Sequence, residues 1–297
     1  MNLAPAHPAS ALRLATLTLL AMLAFAGNSL LCRLALKDTG IDAASFTAVR
    51  LVSGALVLAL LVRLRGGSAA SQGDWPSGLA LFVYAAGFSF AYLTLTAATG
   101  ALLLFAAVQV TMIGVGLWRG ERLAPLQMAG FAAACAGLVG LLLPGVQAPS
   151  WSGAVLMIAA GAAWGVYSLR GRGARDPLAI TAGNFWRAAV FSAVLSAVFL
   201  ARTSADALGL ALAVASGAIT SGLGYAVWYT ALRGLTATVA STVQLTVPVI
   251  TAVGAVLWLG ESLTLRLVLA SVAVLGGVAL VALRKAPPRA APVTAGR

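Results

Sequence analysis

Charge is the scarcest property of this chain. Only 9% of its 297 residues are Asp, Glu, Lys or Arg, against about 25% in ordinary soluble domains. Hydrophobic residues make up 61%, and a water-soluble fold would have too few polar side chains to cover them. There is one histidine, His7, and there are two cysteines, Cys32 and Cys135. Both cysteines sit in apolar runs without ligand or disulfide spacing, so no metal site, disulfide framework or cofactor is expected. The net charge of +12 comes without a basic patch interleaved with aromatics, so nucleic acid is not an expected partner. No apolar run carries His, Asp, Glu or Lys at its centre, and there is no Ser–His pair. An integral-membrane enzyme would lack a catalytic constellation, and the chain is not expected to be an enzyme.

Long apolar runs are what the chain has in excess. A bilayer-crossing helix needs roughly 20 apolar residues. Ten such segments are read, at about 14–36, 44–62, 79–98, 101–118, 125–143, 152–169, 179–200, 208–231, 238–259 and 265–283. Thr99-Gly100 divides the charge-free stretch between Asp74 and Arg119, and Pro144-Gly145 with Pro149 divides that between Arg122 and Arg170. Arg13, the apolar run after it and Ala24-Phe25-Ala26 also resemble a signal peptide with its cleavage site. That run continues to Leu36, however, and removing it would leave the first half one helix short.

Basic residues set the orientation. With the N-terminus cytoplasmic, thirteen of the nineteen Lys and Arg fall on inside segments, four on outside ends, and Arg50 and Arg187 within spans. This bias predicts cytoplasmic N- and C-termini in a bacterial inner membrane. The expected fold is an all-α integral membrane protein of ten transmembrane helices. Residues 1–13 form a cytoplasmic tail, 14–145 a first five-helix repeat, 146–283 a second, and 284–297 a disordered cytoplasmic tail containing Pro287, Pro288 and Pro292. The partners are a small-molecule substrate and the lipid bilayer. Oligomeric state is open, and a monomer suffices.

The two halves repeat. Leu117-Trp118-Arg119-Gly120-Glu121 returns as Leu257-Trp258-Leu259-Gly260-Glu261, 140 residues later. Thr111, Gly114 and Gly137 match Thr251, Gly254 and Gly277 at the same offset. Arg50, Gly87, Phe88 and Tyr92 match Arg187, Gly224, Tyr225 and Tyr229 at 137, and Gly27 matches Gly165 at 138. Five helices per half is an odd number, so the second half enters the membrane from the opposite face. The result is an inverted-topology repeat.

These residues carry a resemblance. Phe25-Ala26-Gly27-Asn28-Ser29, Arg50, both Gly-Glu turns, Trp164-Gly165-Val166-Tyr167 and Pro248 together resemble the drug/metabolite transporter superfamily, EamA type. Over residues 14–283 the chain is most similar to the bacterial aromatic amino-acid exporter group. It departs at Ala26, where the family often has Trp, and at Val108, where a proline often sits. The resemblance implies export of amino acids, aromatic ones included, by alternating access.

Candidate site residues follow from aromatic and uncharged polar groups at membrane depth. Tyr84, Phe88 and Tyr92 form one stripe, and Tyr225, Trp228 and Tyr229 share a face. Asn28, Gln109, Trp164, Tyr167, Trp186 and Gln244 complete the set, with Asn184 and Thr246 as further polar groups. Two readings stand: packing, with each hydroxyl bonded to a carbonyl, or a ring-lined cavity for a substrate. Gly161, Gly165, Gly222 and Gly224 permit close helix approach or backbone exposure to a ligand. Arg50 and Arg187 either cap carbonyls and snorkel, or meet a substrate carboxylate. Glu121 and Glu261 read as carboxylates at helix turns receiving backbone N–H groups of the next helix, or as gate or proton-sensing groups. Trp75, Trp118, Trp151 and Trp258 read as interfacial anchors.

All seven acids fall outside or at the ends of spans. A proton relay normally uses an embedded carboxylate, so the expected transporter is an exporter or facilitator of small neutral or zwitterionic metabolites without obligate ion coupling. A proton-coupled drug/metabolite antiporter and a channel-like pore are the alternatives.

Overall fold

The computed structural model describes residues 8–68, 72–235 and 237–283, and every regular element among them is helical. In order they are α1 (Pro8–Asp38), α2 (Ala43–Leu64), α3 (Trp75–Tyr92), α4 (Ala97–Trp118), α5 (Pro125–Leu142), α6 (Trp151–Arg170) and α7 (Pro177–Val198). A short 3-10 turn (Leu200–Arg202) leads to α8 (Ala207–Val214), a π-helical stretch (Ala215–Leu223) and α9 (Gly224–Leu232). Then come α10 (Ala237–Gln244), α11 (Thr246–Leu259) and α12 (Leu265–Leu283). Nine stretches of the described residues are long and apolar enough to cross a membrane. The 18-residue α3 is not among them. It opens on Trp-Pro-Ser-Gly and carries Tyr84 and Tyr92, which dilute its apolar character. The chain is a multi-pass membrane protein. The tail expected at 284–297 lies outside the described residues; of the tail at 1–13, residues 8–13 open α1 instead.

The scarce acids start helices. Asp42, Asp74, Asp176 and Asp206 are the N-caps of α2, α3, α7 and α8, and each accepts a backbone N–H of its own first turn. Such a cap contributes about 0.5–2 kcal/mol. Proline stands in the first turn of α3, α5 and α7, where its missing N–H costs nothing. The turn expected at Thr99-Gly100 lies earlier. The Thr96 hydroxyl accepts the Thr99 N–H, so α4 already starts at Ala97.

Two spans of the second half are irregular. The stretch Ala207–Leu232 is continuous but changes to π-helix at its centre. The segment expected at 238–259 is divided at Leu245. Pro248 lacks the N–H that would bond the carbonyl of Gln244, four residues back, which loosens the helix there. At the position 140 residues earlier stands Val108, and α4 runs unbroken from Ala97 to Trp118.

Packing crosses the halves. α2 lies on α7, α5 on α12 and α4 on α11. Both α3 and α4 pack on α6; both the α8–α9 span and α11 pack on α1. The core therefore forms between halves rather than within either. At the α5–α12 contact the backbones touch: a Cβ on Gly130 would lie 2.6 Å from the Gly277 carbonyl oxygen.

Candidate functional site

Between the halves lies a cavity of about 820 Å³, within the size range of small-molecule sites. Its walls come from α1, α3, α4, α6, α7, the π stretch, α9 and α10. Ten of the twelve candidate residues line it: Asn28, Tyr84, Phe88, Gln109, Trp164, Tyr167, Tyr225, Trp228, Tyr229 and Gln244. Two do not. Tyr92 is fully buried beyond Phe88, with the two rings edge to face at 4.8 Å and its hydroxyl on the Ala97 carbonyl at 3.3 Å. It shares the α3 stripe with Tyr84 and Phe88, but the cavity ends one turn before it. Trp186 is 43% exposed on the outer side of α7, where lipid would meet it.

Trp164 is the hub of the rings. It lies 4.6 Å from Tyr84, 5.5 Å from Tyr167 and 5.4 Å from Tyr225, centroid to centroid. Tyr225 stacks in turn on Tyr229 at 6.0 Å. Thr181, Ser216 and Thr220 are singled out by no sequence pattern, and Phe25 only as part of the resemblance motif, not as a site candidate. Phe25 packs on Tyr225 and Trp228. Thr181 bridges the hydroxyls of Tyr167 (3.3 Å) and Tyr229 (2.8 Å). Ser216 donates to Asn28 Oδ1 at 2.7 Å and Thr220 lies 3.3 Å from the same oxygen. Both belong to the π-helical stretch, a feature frequent at functional sites because it widens the turn and re-aims side chains. Hydroxyls scattered in apolar runs carry no periodic signal of their own.

The two intramembrane arginines differ. Arg187 Nη1 donates to the carbonyls of Gln72 (2.7 Å) and Gly183 (2.9 Å), following the carbonyl-capping reading. Arg50 is 2% exposed, and Nη2 donates to the Tyr84 hydroxyl at 2.8 Å. Its guanidinium carbon lies 5.2 Å from the centroid of the Tyr84 ring and 4.9 Å from that of Phe88. Arg50 Nε and Nη1 are buried without a hydrogen-bond partner.

At one end the cavity reaches Gln72–Asp74 and Arg170–Ala174. Arg170 pairs there with Asp74 at 2.9 Å and donates to the Ser77 hydroxyl at 2.9 Å. Burial alone would raise the Asp74 pKa, but hydrogen bonds from Ser77 and Arg170 outweigh it and hold the carboxyl below its ordinary 3.8. The contribution of this cap is therefore complete above that value and lost only as pH falls through the lower folded pKa.

The opposite end is closed. Glu261, 9% exposed, accepts from Arg33 Nε at 3.0 Å and from the Ala97 backbone N–H at 2.7 Å. Arg33 also donates to the Tyr92 carbonyl at 2.7 Å. Glu261 was expected to serve the helix that follows it; it caps α4 of the other half instead. Glu121, its repeat counterpart, is exposed. Gly161 and Gly165 face α4: added Cβ atoms would lie 2.6 Å from the Leu104 oxygen and 3.3 Å from the Val108 oxygen. They allow helix approach rather than ligand contact. Among the described residues no three His, Cys, Asp or Glu cluster as a metal site would require.

The EamA-like transporter family matches residues 151–283. An uncharacterized protein of Pseudomonas aeruginosa is 59% identical over 266 residues, covering 89% of this chain and 93% of that one. A crystal structure of a protein 22% identical superposes with a TM-score of 0.66 over 90% of this chain and 97% of that chain. At that identity the likeness concerns the fold.

Proposed function

This chain belongs to the EamA-like transporter family, and we propose that it carries small neutral or zwitterionic metabolites, amino acids with aromatic side chains among them, across the bacterial inner membrane by alternating access. One observation supports this most: a ring-lined cavity of about 820 Å³ between the halves, open to loops at one end and closed at the other. Its depth holds Asn28, Gln109, tyrosines and threonines but no carboxylate, and Asp74 at its mouth is already paired. Zwitterions need no embedded counter-charge, and a proton coupler would need a titrating group that faces both sides in turn.

The ten spans form two inverted five-helix halves in this reading. The reciprocal packing of α3 and α4 on α6, and of α8–α9 and α11 on α1, supports it. The mouth carries Arg170 and Arg172, and Arg175 follows in the same loop, so the positive-inside bias makes it cytoplasmic. Reporter fusions at Gly67 and Gly171 then read cytoplasm, and fusions at Gln147 and Ser204 read periplasm. A periplasmic signal at Gly171 contradicts this topology.

The ends exchange roles in the cycle. Ala97, capped by Glu261, has as its counterpart 140 residues on Ala237, the first residue of α10. Closing the cytoplasmic end brings Glu121 to that N-terminus as Glu261 releases α4. Substrate-loaded proteoliposomes should release labelled phenylalanine, tyrosine or tryptophan without any ion gradient, and external unlabelled substrate should drive counterflow. Accumulation driven by a pH gradient alone would identify a proton antiporter; flux without saturation or counterflow would identify a pore. Trp164→Ala and Tyr229→Ala should each weaken transport about 2- to 10-fold, the worth of ~0.5–1.5 kcal/mol of ring contact. Trp186→Ala should match wild type. Equal activity of all three at equal expression would make the rings packing only.

A further inference from the structure

We propose that the Tyr84 hydroxyl, backed by Arg50, is the subsite for the substrate's carboxylate. The inference rests on the reading of the cavity as the transport site and adds which chemical group is recognised and where. Among the described residues no carboxylate pairs with Arg50. Asp42, Asp74, Asp176 and Asp206 are committed as helix caps, and Glu261 is paired with Arg33. Glu121 is exposed, as is Asp38 at the end of α1. A buried charge without a counter-ion is costly, and the rings of Tyr84 and Phe88 offset that only in part.

The geometry directs the charge outward. Arg50 does not itself line the cavity, but Tyr84, which does, accepts its Nη2–H at 2.8 Å. Asn28, bonded to Ser216, presents its amide nitrogen to the same oxygen at 3.3 Å. With two donors on its oxygen, the phenol has its own proton left to give, and the cavity is the space beside it. A guanidinium on the oxygen polarises the O–H and strengthens that donation. A carboxylate arriving there gains a charge-assisted hydrogen bond and brings the counter-charge that Arg50 lacks. Trp164, 4.6 Å from Tyr84, and Tyr225 behind it then meet an apolar or aromatic side chain. Arg50 is thus a positioning residue that acts through Tyr84.

Calorimetric titration of the purified full-length protein in detergent tests this with L-phenylalanine, 3-phenylpropionate and L-phenylalaninamide. Wild type is expected to bind the first two at least tenfold more tightly than the amide. Tyr84→Phe keeps the ring and the cation–π contact and should remove that discrimination, lowering affinity for the two carboxylates about tenfold and leaving the amide unchanged. Arg50→Lys should keep part of the discrimination and Arg50→Met should lose it; a purely structural Arg50 would move all three ligands together. Wild type binding phenylalanine and its amide equally, or Tyr84→Phe retaining the preference, overturns the carboxylate subsite and leaves the carrier reading standing. Wild type binding none of the three overturns both.

Discussion

Glu261→Ala should cost about 3–5 kcal/mol of stability, the usual consequence of removing one partner from a buried ion pair. Three losses coincide. Arg33, with its side chain 13% exposed, keeps its charge but loses its carboxylate. The Ala97 N–H at the start of α4 is left buried without an acceptor, a penalty of ~1–3 kcal/mol in its own right. The seam joining α1, α4 and the turn before α12 opens. Glu121→Ala, at the repeat position, removes an exposed carboxylate and should change stability by less than ~0.5 kcal/mol. Thermal unfolding of the two variants in the same detergent compares them directly. Equal midpoints would mean that the two ends are not in different states, and the exchange of roles proposed for them would fall.

Gly161→Val should abolish transport while leaving membrane insertion intact. The added carbons meet the Leu104 oxygen and the Ala107 methyl, each 2.6 Å from the position of a Cβ. Both are parts of α4 that cannot rotate away, so α6 must move off by an ångström or more. Trp164 stands one turn further along α6 and carries three of the ring contacts. Overpacking of this kind typically costs about 1–3 kcal/mol, survivable in a bundle this size, but it moves the whole α6 wall of the cavity, Trp164, Tyr167 and Arg170 together, rather than one ring. Gly161→Ala should be intermediate. Normal transport by the valine variant would show that the α4–α6 contact does not position the cavity wall.

Much of this was legible in the chain. Apolar runs located nine of the ten expected spans among the described residues, because hydrophobic length is a strong local signal. The Gly-Glu repeat pointed to both ends of the bundle, though not to the fact that Glu261 serves a helix of the opposite half; that pairing spans 164 residues and has no local trace. Ring spacing placed Tyr84, Phe88, Tyr225 and Tyr229 on common faces. It could not say where the cavity stops, and so included Tyr92. Trp186 failed for a related reason: in a membrane protein an outward face is as apolar as an inward one, so amphipathic pattern does not separate them. Thr181, Ser216 and Thr220 were invisible because a hydroxyl in an apolar helix usually bonds its own backbone, and only the π stretch turns Ser216 toward Asn28.

The unequal backbones of the two halves have a kinetic consequence. An interrupted rod bends where its hydrogen-bond ladder is missing, and here the interruption at Leu245 has no counterpart around Val108. In the alternating-access cycle proposed above, α4 would behave as a strut while α10 and α11 flex, and the two end states would not be mirror images in energy. For a passive carrier this asymmetry leaves the final distribution of solute untouched, since no gradient is consumed. In the proposed carrier it would set the half-saturation concentration separately on each face of the membrane, so that the two faces differ in apparent affinity.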